Sequence, residues 1–479
     1  MLMTAGGSML MSWRRAKLSG ACVGTVLLLG ACATYHPQPL DLSSGLASSI
    51  GQLQLQVNGD GHPELPRAWQ DRAVNADDGL DETEISLLAV LNSPNLHAAR
   101  MQVDEARARL TKAGLLPDPQ LSTSFDFPPG NDPTLVTAYN FGFGFDLQSL
   151  ITRGARKSAA IEQARATYLN VLWQEWQIIQ QARMLYRRAL IQQQQMKVLY
   201  NQFLQARNTW ERQQTALKQG NATLDQEGLA LAPMMSAQAA WVEARRQFNA
   251  TVHDLALLLG VNPSVQLPLS SPHGGLELLL SPPPEAKPLQ AILSSLGKRR
   301  PDLLALQAGY KSQEAKVREQ ILSQFPSFTV GANRLRDTGG VWTLGPFVNL
   351  NLPLLNGNRG NIATARATRQ RLRAEYHDQL TSAYVQARKL AQDQRLAFDE
   401  WRALTSHLPG LAVTVKRMAS ALKAGEIDML TFTTLRNAYF TQQVQALTLE
   451  QALLEQDVAL ETLTGTLLTS SSEGQGEQP

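Results

Sequence analysis

The segment LVTAYNFGFGFDL, residues 135–147, decides the fold of the central part of this chain. Mostly apolar or aromatic side chains occupy every second position, and small or polar residues occupy the positions between them. A period of two is the pattern of a β-strand whose two faces meet different surroundings. The shorter run LSTSFDF, residues 121–127, alternates in the same way, and PPGND, residues 128–132, supplies a turn. The two runs therefore predict an antiparallel hairpin with strands at about 119–127 and 135–147.

A second hairpin is predicted in the second half of the chain, with strands at about 327–335 and 341–352 around the turn DTGG, residues 337–340. Strands of about 9 to 11 residues with one apolar and one polar face have the length and pattern of transmembrane barrel strands. A soluble hairpin packed on the chain's own helices is the alternative. Four strands cannot close a barrel, and open sheet edges are unstable in lipid, so a membrane barrel has to be shared between subunits.

The two hairpins belong to a tandem duplication. Gly154 to Gly220 enclose 65 residues without glycine or proline, and Gly360 to Gly425 enclose 64 residues. Each segment is followed by a second one that closes on the pattern Leu-x-x-Leu-x-Gly. Self-similarity of this kind indicates a repeated unit, here helix, hairpin, helix. The predicted segments are a signal peptide at 1–31, an extended segment at 32–80, repeats at 81–260 and 289–465, a linker at 261–288 and a disordered tail at 466–479.

The two long segments, 155–219 and 361–424, predict very long helices. At about 1.5 Å per residue, a helix of this length would reach roughly 100 Å. Apolar residues step by three and four from Ala182 to Leu217 and from Ala397 to Leu422, which is typical of a coiled coil. Pro409-Gly410 interrupts the second series, so a kink or a break is expected there. The predicted fold class is mainly α with membrane β.

The N-terminus predicts export. Arg14, Arg15 and Lys17 precede an uncharged, mostly apolar run, residues 18–31, which is too short to span a bilayer as a helix. The run ends in LGAC, residues 29–32, which resembles the lipobox of bacterial lipoproteins. The resemblance makes Cys32 the lipidated N-terminus of the mature protein. The alternative is an ordinary signal peptide that contains a cysteine.

Composition excludes several function classes. The chain has 44 basic and 41 acidic residues, and removing the three basic residues of the signal leaves 41 of each, which argues against nucleic-acid binding. Cys22 lies in the signal, so no thiol besides the lipidated one is left for disulfides or catalysis. The seven histidines are scattered, and no catalytic motif is present. No catalytic residue, metal site or cofactor is predicted, apart from the covalent lipid on Cys32.

Several motifs resemble the TolC-like outer-membrane efflux proteins, the outer membrane factors of tripartite RND-type exporters. These motifs are RPDL at 300–303, QFPS at 324–327 and NLPLLNGNRGNIATARA at 351–367. In the family, a proline, an Asn-Gly or Asp-Gly turn and a basic residue recur where the barrel leads into the long helix. The resemblance assigns this barrel-to-helix turn to Pro353, Asn356, Gly357 and Gly360. The corresponding first-copy segment, residues 146–166, lacks the proline.

The resemblance implies a homotrimer. Four strands from each chain would form one twelve-stranded β-barrel in the bacterial outer membrane, and the long helices would form an α-barrel, or tunnel, through the periplasm. A periplasmic adaptor protein and an RND-type inner-membrane pump would dock on this tunnel. The lipid on Cys32 would anchor each chain in the outer membrane. A lipid-anchored periplasmic coiled-coil adaptor is the alternative from a different functional class.

The resemblance also places the periplasmic tips near Gly220 to Asp225 and Gly425 to Leu430. There Asp225, Gly425, Glu426 and Asp428 are candidates for gating or docking. Acidic residues are also favoured at helix starts by the helix dipole, which is the competing explanation. Within the family, the second copy looks most like the branch paired with heavy-metal exporters, whereas drugs or other small molecules are the alternative cargo.

Overall fold

The computed structural model describes residues 35–43, 45–55, 74–75, 78–130, 133–272, 275–280 and 282–466. The chain divides into two units, residues 1–45 and 46–479. In the first unit, the backbone N–H of Ser43 donates to the Asp41 carboxylate at 2.9 Å. The predicted signal peptide and Cys32 lie outside the described residues. The helices and strands given below belong to the second unit.

The second unit repeats one order of elements, helix, hairpin, helix, as the duplication predicts. The first repeat contains α1 (Glu82–Asn92), α2 (Pro94–Gly114), β1 (Gln120–Asp126), β2 (Ala138–Asp146), α3 (Gln148–Lys218) and α4 (Leu224–Leu258). The second repeat contains α5 (Ala286–Ser294), α6 (Leu296–Arg299), α7 (Pro301–Leu322), β3 (Ser327–Arg336), β4 (Trp342–Asn351), α8 (Arg359–Ala424) and α9 (Met429–Thr464). No helix in the described ranges is long and apolar enough to cross a membrane.

Helix boundaries follow local signals. Asp81 and Glu84 form a capping box that opens α1, because the side chain of each accepts a hydrogen bond from the other's backbone N–H, at 2.8 and 3.0 Å. Proline occupies the first position of both α2 and α7, where its missing N–H costs nothing. Gly425 and Gly465 end α8 and α9 with φ of +76° and +68°, a conformation that favours glycine.

Two residues that disfavour helices lie inside the long helices without ending them. Gly154 lies in the second turn of α3, which begins six residues earlier at Gln148, so this glycine does not start the helix. A single internal glycine costs only about 1 kcal/mol, which the rest of so long a helix offsets. Pro409 lies inside α8, which continues to Ala424. Of the kink or break expected at Pro409-Gly410, the break is wrong, because one missing hydrogen bond does not end a helix that packs along α9.

The sheet unites the two repeats. Its order is β1-β2-β3-β4 and every neighbouring pair is antiparallel. The central pair joins the repeats, because β2 belongs to the first and β3 to the second. Strand β2 starts at Ala138 and not at Leu135, since Val136 N–H donates to the carbonyl of Thr338 in the neighbouring turn at 2.9 Å. The outer edges of β1 and β4 have no strand partner among the described residues.

The main hydrophobic core is formed by α1, part of α3, the end of α4 and the segment that follows α4. Leu87, Leu88 and Tyr186 are almost fully buried there with the end of α4. The predicted linker is partly structured: Val261 and Leu276 belong to this core, and α5 already starts at Ala286. Parallel bridges join Ala47 to Val261 and Leu80 to Leu269. Apolar side chains inside the Pro-rich segment explain why it packs as part of the core.

Candidate functional site

The strand register sorts the sheet into two chemically different faces, because directly paired residues lie on the same face. One face is mainly apolar; its members include Leu121, Phe125, Tyr139, Phe141, Phe143, Phe328, Val330, Leu344, Val348 and Leu350. The opposite face carries Ser122, Ser124, Asn140, Gly142, Gly144, Thr329, Asn333, Asn349 and Asn351. On the apolar face, Leu121 is 75% exposed and Leu344 is 78% exposed. The chain's own helices therefore leave this face uncovered, which argues against a soluble hairpin packed on them.

A single aromatic ring lies over glycines of β2 and β3 on the polar face. Phe347 on β4 pairs with Gly331 on β3, and its ring also lies beside Gly144 on β2. A Cβ on Gly331 would stand 2.6 Å from ring atoms of Phe347 and would overlap the carbonyl oxygen of Phe143. Glycine is required here because another strand's backbone and an aromatic ring approach too closely for a side chain.

The predicted barrel-to-helix turn forms a compact loop between β4 and α8. Gly357 N–H donates to the carbonyl of Pro353 at 3.1 Å, and Arg359 N–H donates to the carbonyl of Asn356 at 3.0 Å. Gly360 is already the second residue of α8 and has open space around it. The structure thus brings Pro353, Asn356 and Gly357 together and places Gly360 just beyond them.

Sequence reasoning missed Asn358 in this turn. Its φ is +56°, and its Nδ2 donates to the carbonyl of Gln320 in α7 at 2.8 Å. Asparagine tolerates the left-handed region better than other residues with a side chain. The sequence Asn-Gly-Asn, residues 356–358, was the signal that could have indicated a left-handed asparagine in this turn.

The tip between α3 and α4 is closed by ordinary capping. Gly220 has a φ of +73° just after α3, and Thr223 with Gln226 forms a capping box at the start of α4. Asp225 lies in the first turn of α4 and is fully exposed; a hydrogen bond from the Thr223 side chain lowers the pKa of its carboxyl. The position of Asp225 is thus explained by helix initiation.

At the tip between α8 and α9, the two acidic residues Glu426 and Asp428 have different roles. Gly425 is the C-cap of α8, and Asp428 is the N-cap of α9. The Asp428 carboxylate accepts hydrogen bonds from the backbone N–H and the hydroxyl of Thr431, both at 2.8 Å, and the backbone bond is the main cause that lowers its pKa. Glu426 is exposed, and its carboxylate forms no hydrogen bond or ion pair within the described ranges. Among the predicted tip acids, only Glu426 has no capping role.

Comparison with known proteins assigns this architecture. Residues 292–466 match the family model described as outer membrane efflux protein. The second repeat of this chain is therefore similar to the outer membrane efflux proteins. Members of that family are channels and not enzymes, and they use no cofactor. No curated protein sequence matches the chain.

Solved structures with the same fold match both repeats. A structure of CusC, a protein that forms a transmembrane channel, has a TM-score of 0.64 and 17% identity, and the match covers 81% of this chain and 93% of that one. The CmeC outer membrane channel of Campylobacter jejuni has a TM-score of 0.65 and 14% identity, covering 90% and 94%. The open state of the Neisseria gonorrhoeae MtrE outer membrane channel has a TM-score of 0.64 and 17% identity, covering 91% and 99%.

The efflux-protein motif RPDL has a structural role. Arg300 is buried and donates two hydrogen bonds to the Asp302 carboxylate, at 3.0 and 2.6 Å. Its guanidinium also donates to the carbonyl of Leu463 at 3.0 Å and lies 4.8 Å from the ring centre of Trp173. This one side chain therefore connects the start of α7 with the end of α9 and with α3.

A largely buried ion network joins α1, α3 and α9 and was missed by sequence reasoning. Glu82 of α1 accepts hydrogen bonds from Arg183 and Arg187 of α3, each at 2.8 Å. Arg187 also donates to Asp457 of α9 at 3.1 Å, and Arg183 donates to Glu461 of α9. Arg187 is 2% exposed and Glu461 is fully buried. Charged residues inside a coiled-coil segment gave no sign in the sequence that they would be buried.

No metal-binding group is found in the part of the chain that the structure describes: nowhere do three or more His, Cys, Asp or Glu side chains come together in a way that could hold an ion.

Proposed function

We propose that the chain is the trimeric outer-membrane duct of a tripartite efflux system, passing solutes from a periplasmic adaptor and an RND-type inner-membrane pump to the exterior. One observation carries the proposal: a sheet with an exposed apolar face and a polar face ends in two unpaired edges. Unpaired edges are unstable in lipid. Joining β4 of each chain to β1 of the next would close three sheets into one barrel with a polar interior.

The two long hairpins support the tunnel half of the proposal. Helix α3 has 71 residues and α8 has 66, so each would extend roughly 100 Å. Each pairs with a shorter helix of 35 or 36 residues, α4 or α9. Both hairpins end in exposed tips away from the sheet, where an adaptor protein would dock.

Pore formation tests the proposal. The purified full chain should migrate as an oligomer that dissociates to monomers on heating, and it should produce stepwise conductance in planar lipid bilayers. A chain that stays monomeric and forms no pore would refute the duct.

The anchor is proposed on Cys32. The residue after it is Ala33 and not the aspartate that resembles an inner-membrane retention signal, which agrees with sorting to the outer membrane. We expect Cys32→Ala to impair signal processing and to lower the trimer yield in the outer membrane, while helix content stays unchanged, because the lipid tethers the chain without entering its helical core. Metabolic palmitate labelling and membrane fractionation measure this.

Cys22→Ala is the matched control, because this cysteine lies inside the signal and is removed with it. It should leave labelling and yield at wild-type values. Full assembly of pores in cells by the unlipidated Cys32→Ala protein would show that the anchor is dispensable.

The gate is proposed at the α8–α9 tip, with Glu426 as its acidic group. A trimer would bring three copies of this unpaired carboxylate to the periplasmic end of the duct. We expect Glu426→Gln to reduce cation selectivity, because it removes fixed negative charge at a constriction. The reversal potential under a salt gradient in planar bilayers measures this.

Asp428→Asn is the control, since asparagine also serves as an N-cap and only the charge is lost. A smaller shift is expected for it because the Asp428 carboxylate is engaged by Thr431. An equal shift for both variants, or none for Glu426→Gln, would contradict a special role of Glu426. Asp225 and Gly425 are proposed to shape the tips and not to carry the selectivity.

Heavy-metal cations are the proposed cargo. The support is the resemblance of residues 300–326 and 358–376 to the heavy-metal branch of the family. Deleting the gene should increase sensitivity to one or more of zinc, cobalt, cadmium and copper. If only antibiotic tolerance falls, the duct serves drug efflux and the metal assignment is wrong.

A further inference from the structure

Two arginines interrupt the apolar face of the sheet near one end. Arg334 pairs with Phe141 on β2 and Leu344 on β4, and Arg336 pairs with Tyr139 and Trp342. The register therefore places both guanidinium groups on the apolar face. Their Cζ atoms lie 4.7 and 5.9 Å from the ring centre of Trp342, so one aromatic ring orients both cations.

Neither arginine has an acidic partner within the described ranges. The nearby Asp337 carboxylate accepts a hydrogen bond from Val341 N–H at 2.9 Å, and Asp126 lies on the polar face, paired with Ala138. The Nε of Arg336 is shielded from solvent and has no hydrogen-bond acceptor in the structure described. Among the described residues, the two positive charges held on this ring thus lack an acidic partner, which favours an anion as their ligand.

The position of the pair along the sheet indicates which anion it meets. The pair Phe328–Leu350 marks the end of the apolar face nearest the helices. Leu350 lies eight residues from Trp342, which is roughly 26 Å along a strand and about 20 Å in height at a tilt of about 40°. That height is most of the roughly 25 Å apolar band of a typical barrel, so the arginines lie near its far edge. An arginine on the lipid face costs about 2–4 kcal/mol at the midplane and about 0–1 kcal/mol at the interface.

We propose that Arg334, Arg336 and Trp342 form a binding site for the phosphate headgroup of an anionic lipid in the outer leaflet. The inference rests on the proposed membrane barrel. Guanidinium groups match phosphate oxygens with paired hydrogen bonds, and tryptophan favours the headgroup level of a membrane. The lipid's chains would then lie along the apolar face below, beside Leu344 and Phe141.

The test uses the full-length protein in mixed micelles of a nonionic detergent with dioleoyl phosphatidic acid, compared with dioleoyl phosphatidylcholine. Bound lipid is counted by native mass spectrometry over a titration. We expect Arg334→Gln/Arg336→Gln to weaken phosphatidic acid binding by roughly tenfold and to remove most of its salt dependence. Arg402→Gln/Arg417→Gln, which removes two exposed arginines of α8, should bind like the wild type.

Equal binding by the Arg334/Arg336 variant and the wild type would overturn the proposal, as would equal binding of phosphatidylcholine. Displacement of the lipid by inorganic phosphate at equal concentration would show that free phosphate is the ligand and would overturn the lipid assignment. Conductance of the same preparations separates this inference from the duct: pores with unchanged lipid binding refute only the lipid site, whereas absence of pores in wild type and variant refutes the duct.

Discussion

Gly331→Ala should nearly abolish assembly of the heat-dissociable oligomer. The new Cβ would overlap the carbonyl oxygen of Phe143 on β2 and stand 2.6 Å from the Phe347 ring on β4. The ring can rotate, but the backbone of β2 can move only by opening its pairing with β3. Overpacking of this kind costs about 1–3 kcal/mol or more. Because β2–β3 is the pair that joins the two repeats, the loss should affect the whole sheet.

Gly345→Ala is the matched control. Gly345 also lies on the polar face, in the neighbouring strand, and a Cβ there meets nothing within 4 Å. Oligomer yield by unheated gel electrophoresis and single-channel conductance should match the wild type for Gly345→Ala and fall sharply for Gly331→Ala. Similar yields for the two variants would show that the close approach around Gly331 does not limit assembly.

Arg187→Met should destabilise the helical part by about 3–5 kcal/mol, the usual cost of removing one partner of a buried ion pair. The network contains two guanidinium groups and three carboxylates, from Glu82, Arg183, Arg187, Asp457 and Glu461. Removing Arg187 leaves two buried carboxylates, Asp457 and Glu461, and the partly buried Glu82 beside a single guanidinium. Chemical denaturation of the full chain in detergent, followed by circular dichroism at the helix band, measures the change.

Arg188→Met provides the control from the same helix. Arg188 pairs with Glu455 at 2.7 Å, but both side chains are partly exposed, at 30% and 26%. An exposed pair contributes at most about 1 kcal/mol. If the two variants unfold at the same denaturant concentration, the buried network is not a stabilising element.

Asp457→Asn should instead leave the protein folded, and it should remove a pH dependence of the folding stability. Burial raises the pKa of the Asp457 carboxyl above its usual 3.8, although the nearby Arg187 opposes the shift. A raised pKa in the folded state means that the group's stabilising contribution is complete below 3.8 and is lost as the pH rises through the raised value. Wild-type stability should therefore fall in this range relative to Asp457→Asn. Parallel curves for the two proteins between pH 4 and 7 would contradict the shift.

The strands and the long helices could be predicted because their signals are local. The alternation around Phe141 has the period of a strand, and the spacing of apolar residues from Ala182 onward has the period of a helix. Each period can be recognised within one segment. The four predicted strands are observed. Leu135 to Thr137 do not belong to β2, because the N–H of Val136 donates to the carbonyl of Thr338 in a turn of the other repeat. Thr338 lies about two hundred positions from Val136 in the chain, so no local pattern could reveal this hydrogen bond.

The positions of the buried charged residues could not be predicted, because their partners are also distant in the chain. Arg183 and Arg187 resemble solvated coiled-coil residues until α1 and α9 are placed against α3. Arg334 and Arg336 seem to break the alternation of β3, yet their register keeps them on the apolar face. At the tips, sequence reasoning singled out Asp225, Glu426 and Asp428 without distinguishing them, and only the hydrogen bonds of the caps separate Glu426 from the other two.

The pairing of β2 with β3 inside one chain has a consequence for assembly kinetics. In the proposed trimer, half of the seams between hairpins form by intramolecular closure, at a rate independent of protein concentration, and only the β4–β1 seams need a collision between subunits. A single unduplicated repeat would have to bring six chains together, each encounter losing translational freedom. Gene fusion of the two hairpins therefore shortens the period during which unpaired strand edges are exposed to other proteins, a period in which aggregation competes with assembly.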